Sequence, residues 1–78
     1  MSPTIFRVKD YRFFFFSREE LRRHVHVSCS DGEAKFWLEP KIELAKNYNL
    51  KAKQLKIVEK LIVDNYDKIN DKWNQFFS

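Results

Sequence analysis

Two runs of alternating polar and apolar residues flank Asp31-Gly32, and no other feature constrains this chain as much. Residues 24–30 read HVHVSCS and residues 33–39 read EAKFWLE. An Asp-Gly pair suits the positive φ angles of a tight hairpin turn. A two-residue turn at Asp31-Gly32 predicts Ser30 opposite Glu33, Val27 opposite Phe36, His26 opposite Trp37 and His24 opposite Glu39. Strand side chains alternate between faces. Val25, Val27, Cys29, Ala34, Phe36 and Leu38 are therefore the expected core face. His24, His26, Ser28, Ser30, Glu33, Lys35, Trp37 and Glu39 are expected on the other, which carries the groups suited to chemistry or polar recognition.

A chain of 78 residues is expected to form one domain, residues 1–78, because a second would bury too little surface. Eight Phe and two Trp supply a core, and one Gly and two Pro leave little room for low-complexity loops. A lone cysteine cannot close an intrachain disulfide, which predicts a reducing, cytoplasmic setting. Residues 1–4 show no basic stretch leading into an apolar core, so no leader peptide is expected. The Phe13–Phe16 run is too short to span a bilayer, and no membrane partner is expected. The net charge of +4 permits attraction to nucleic acid or to an acidic protein without requiring either.

Thr4–Lys9 and Tyr11–Ser17 read as a first pair of strands around a Lys9-Asp10 turn, which sets Arg7 opposite Arg12. Like charges placed so are unfavourable unless an acid or a bound anion answers them. Arg18–Arg23 reads as an exposed connection, so Arg7, Arg12, Arg18, Arg22 and Arg23 make an arginine-rich first third, suited to phosphate contacts. Pro40 ends the fourth strand, and residues 42–48 fit either a short extra strand or a loop. From Lys51 the period changes. Leu55, Val58, Leu61, Ile62, Tyr66, Ile69, Trp73, Phe76 and Phe77 form a helical stripe, with Asp64-Asn65 as a candidate break into two helices. The expected fold is α+β: an antiparallel sheet of about four strands, in two hairpins, with one long or two shorter C-terminal helices on one face.

Residues 3–7 (PTIFR), 11–13 (YRF), 24–27 (HVHV), 32–38 (GEAKFWL) and Trp73-Asn74 resemble the small prokaryotic domain-of-unknown-function family 4160, over nearly the whole chain. That family has no established activity. Its members are often encoded beside a second small protein, and some are labelled toxin–antitoxin-like, so the resemblance implies a two-component system. Where the family has prolines before its first motif histidine, this chain has Arg22 and Arg23.

Three uses of the polar face follow. Trp37, with Arg7, Arg12, Arg22, Arg23 and Glu39, suits an interaction surface for a small protein, a second copy of the chain or a nucleic acid. His26 and His24, with Lys35 and Glu33, suit metal-independent, ribonuclease-type acid–base chemistry, with Trp37 stacking a base. His24, His26 and Glu39 suit a metal site, although His-x-His alone is weak, and no cofactor is expected. The leading expectation is the interaction module. Cys29 reads as a small buried apolar residue.

Overall fold

The computed structural model describes residues 4–16 and 21–77. Five strands, β1 (Thr4–Val8), β2 (Tyr11–Phe14), β3 (His24–Cys29), β4 (Gly32–Trp37) and β5 (Glu43–Tyr48), precede two helices, α1 (Ala52–Asp64) and α2 (Tyr66–Phe76). The strands pair antiparallel in chain order, β1-β2-β3-β4-β5. The fold is thus α+β as expected, with five strands in place of about four, because residues 43–48 join the sheet as its edge. The expected end of the second strand at Ser17, and Arg18, lie outside the described residues.

The β1–β2 turn falls at Lys9-Asp10, and Arg7 stands opposite Arg12, as expected. The left-handed residue is Lys9, with φ 54°. Asp10 is used elsewhere: its carboxylate accepts hydrogen bonds from the Ser30 amide at 3.0 Å and the Ser30 hydroxyl at 2.8 Å.

The central hairpin departs from expectation by one residue. Its turn is Ser30-Asp31, since Cys29 pairs with Gly32, Val27 with Ala34 and His24 with Trp37. Gly32 is the first residue of β4 and has no positive φ. A Cβ there would collide with the carbonyl oxygen of Tyr48, so this glycine is needed for the close approach of β5, not for the bend. The displaced turn is held from three sides. Besides Asp10 on Ser30, Asn49 donates to the Asp31 carbonyl at 3.0 Å and Gln54 donates to the Asp31 carboxylate at 2.8 Å. Moving a two-residue turn by one position shifts the pairing by two, and a shift of two keeps each side chain on its own face.

The core forms where Phe13, Val25, Val27, Ala34, Phe36 and Leu38 of the sheet side meet Val58 and Ile62 of α1 and Ile69 and Trp73 of α2. Burying each large apolar side chain contributes about 1.5–3 kcal/mol. The helical stripe is two helices. Asn65 breaks it: its side-chain amide donates to the Leu61 carbonyl at 2.8 Å, while its own carbonyl accepts from Ile69 N at 3.0 Å. Gln54 opens α1 by accepting from the Lys51 amide at 2.9 Å. Tyr66, just past the break, donates to the Leu38 carbonyl at 3.1 Å and ties α2 to the end of β4. Among the described residues no helix is long and apolar enough to cross a membrane.

Candidate functional site

Directly opposed residues of antiparallel strands share a face. On the face turned from the helices this produces three cross-strand rows. The first runs Arg7, Arg12, Ser28, Glu33, Tyr48. The second runs Phe14, His26, Lys35, Lys46. The third runs His24, Trp37, Glu43. Basic and aromatic side chains dominate, as the alternation predicts, but the partners across the central hairpin differ from the expected ones.

His26 stands opposite Lys35, not Trp37. Its ring stacks on Phe14 with centroids 5.5 Å apart and meets Phe16 edge-on at 4.4 Å, leaving 8 % of the residue exposed. His24 stands opposite Trp37, not Glu39, and is 0 % exposed. Its ring centroid lies 5.2 Å from that of Trp73, 5.2 Å from that of His26 and 5.8 Å from that of Trp37. Trp73 also meets Phe15 at 5.3 Å, so the end of α2 closes this corner of the sheet. The expectation that both imidazoles line an open face is corrected. Both are buried: His24 is walled in, and only His26 edges onto a cleft. The His24 Nδ1 lies 2.7 Å from the Arg22 carbonyl oxygen, a contact that makes Nδ1 the protonated nitrogen.

Glu39 turns to Arg23. The Arg23 amide donates to Oε2 at 3.4 Å, and the Arg23 Nε lies 3.4 Å from Oε1. Arg23 also donates to Asn70 Oδ1 at 3.2 Å, and its carbonyl accepts from Leu38 N at 2.9 Å. The approach to β3 is therefore held by polar contacts where a proline would hold it by stiffness. His24, His26 and Glu39 do not assemble, and among the described residues no group of three His, Cys, Asp or Glu is arranged to hold a metal ion.

Trp37 is a floor for positive charge. The Arg22 guanidinium lies 4.1 Å and the Lys35 ammonium 4.5 Å from its ring centroid. Arg22 is steadied by donating to the Glu39 carbonyl at 2.9 Å. With two cations over it, the indole is not the bare base-stacking plate expected of it. Arg12 packs its guanidinium 4.5 Å from the Phe14 centroid and donates to Thr4 Oγ1 at 2.7 Å.

Beside this floor opens a cleft of about 250 Å³, lined by Phe16, His26, Glu33, Lys35, Lys46 and Tyr48. It brings three expected residues together, His26, Lys35 and Glu33, and adds three that sequence reasoning missed. For Lys46 and Tyr48 the missing signal is explained by the pairing of β4 with β5. Lys35 opposes Lys46 while Phe36 opposes Leu44, so Ala45 is an extra, bulged residue. Glu43 and Lys46 come to one face although three apart, and the period of two is lost from the sequence.

The shifted acid–base groups lie elsewhere. Ser30, through its amide and then its hydroxyl, holds the Asp10 carboxyl below its ordinary range, and Arg7 adds to this. Burial pushes the Tyr11 phenol up, helped by the nearby Cys29, Asp10 and Asp31. Both belong to the far end of the β1–β2 hairpin.

The pattern that defines a known family, described as a domain of unknown function (DUF4160), matches residues 10–74. The chain is a member of the DUF4160 family. The match takes in β2 to β5, α1 and most of α2, so the cleft and the Arg23 anchor lie wholly inside the DUF4160 unit. Neither the curated proteins nor the solved structures contain a match to the chain.

Proposed function

We propose that this DUF4160 chain is a small interaction module of a two-component, toxin–antitoxin-like system, working in the cytoplasm with a second small protein. One observation carries the reading. The face away from the helices gathers Arg7, Arg12, Arg22, Lys35 and Lys46 among Phe14, Trp37 and Tyr48, while the acids in its rows are Glu33 and Glu43. Aromatic and arginine side chains on a shaped surface suit binding, and their charge suits an acidic partner. Burial of His24 also weighs against a two-histidine reaction, since acid–base work would fall to His26 alone.

The test is a pull-down of the tagged chain from its native cell, followed by co-expression with the small protein it captures. A complex that co-purifies, weakens with salt and is lost in Arg7→Glu/Lys46→Glu is the expected result. A stable complex that ignores both substitutions would place the docking surface elsewhere and overturn the reading.

A further inference from the structure

We propose that the cleft between β3, β4 and β5 is a nucleotide subsite, in which the His26–Lys35–Lys46 row takes a phosphate and Tyr48 stacks the base. This goes beyond docking of a protein partner and stands without it.

The row supplies the phosphate chemistry. His26, Lys35 and Lys46 sit on three adjacent strands in direct register, with neighbouring strands about 5 Å apart. A phosphate offers several acceptor oxygens, so a single group spans two or three of these nitrogens. Lys35 and Lys46 stand directly opposite one another, so an anion placed between them meets both charges. They also differ in depth. Lys35 is 8 % exposed and Lys46 stands at the open edge strand, so a ligand meets one cation at the floor and one at the rim.

The aromatic groups supply the second half. Tyr48 is 57 % exposed, on the same strand and face as Lys46 and two residues along. That step is about 7 Å, within reach of a base whose phosphate lies on the row. Phe16, also solvent-exposed, forms another part of the wall. Glu33 stands directly opposite Tyr48, where its carboxylate can accept from an exocyclic amine of a stacked base. A base on Tyr48 and a phosphate on the row use both halves of this lining at once. The size agrees. At about 250 Å³ the cleft falls just below the range of pockets that enclose a whole drug-sized ligand, so a nucleotide would be held in part and remain partly in solvent.

Free nucleotides and single-stranded nucleic acid share this chemistry, and the experiment separates them. The full chain is titrated by NMR with adenosine 5′-monophosphate, adenosine, inorganic phosphate and a single-stranded RNA hexamer. We expect saturable shifts at Lys46, Tyr48 and His26 with the monophosphate. Adenosine and phosphate alone should each bind at least about ten-fold more weakly, since each keeps one of the two contacts. Lys46→Glu should weaken the monophosphate at least about ten-fold and Tyr48→Ala about five-fold or more. Lys56→Glu, an equal charge change on exposed α1, should leave it unchanged. A hexamer bound more tightly than the monophosphate, with salt dependence of about −0.7 per phosphate contact, assigns the site to a strand. Equal affinities assign it to a free nucleotide, and either result supports the subsite. No saturation by about 10 mM, phosphate binding as tightly as the nucleotide, or Lys56→Glu matching Lys46→Glu would each overturn it. None of these outcomes depends on a protein partner.

Discussion

Gly32 lies so close beneath the Tyr48 carbonyl that no side chain fits between them. The contact joins β4 to β5 at the end where the cleft opens. Gly32→Ala should therefore destabilise the fold by about 1–3 kcal/mol, the usual cost of overpacking, as read by urea denaturation. It should also shift the amide resonances of Tyr48 and Asn49 more than those of β1. A neutral substitution would mean that β5 does not need the close approach to Gly32.

The Asp10–Ser30 clamp makes one clear pH prediction. The Asp10 carboxyl sits below its ordinary range in the folded state, because it accepts from the Ser30 amide and hydroxyl. A depressed folded value adds stability above the unfolded pKa and loses it as pH falls through the folded one. Asp10→Asn should thus flatten part of the stability loss as pH falls through and below the ordinary aspartate range, with its largest relative deficit near neutrality. Denaturation midpoints across that window check it, and parallel curves for the two proteins would refute the clamp.

Trp73 holds two surfaces at once, the core through Phe15 and the far face through His24. Trp73→Ala should cost about 3–5 kcal/mol, as large aromatic truncations do. In a background that still folds, such as the milder Trp73→Phe, the His24 ring signals should move far more than those of Lys46. If His24 does not respond, α2 is not what closes that corner.

Arg23 anchors the approach to β3 by its contacts with Glu39 and Asn70. Arg23→Met keeps the stem and removes the charge, and should cost about 1–2 kcal/mol. Hydrogen exchange at the Leu38 amide, bonded to the Arg23 carbonyl, should quicken. Unchanged protection there would show that the backbone pairing needs no help from the side chain.

The faces of the central hairpin, the Lys9-Asp10 turn, the Arg7–Arg12 pair and the helical stripe were all legible in the sequence. Each rests on a local period or a local turn, and a local rule needs only neighbours to act. Three features were decided by tertiary structure. The bend moved to Ser30-Asp31 because Asp10, Asn49 and Gln54, distant in sequence, each bind it, and because β5 requires the bare backbone of Gly32. His24 left the surface because Trp73, 49 positions onward, packs against it. Lys46 and Tyr48 entered the cleft because a bulge at Ala45 rephased β5, and a bulge is specified by the pairing of two strands, not by either strand alone.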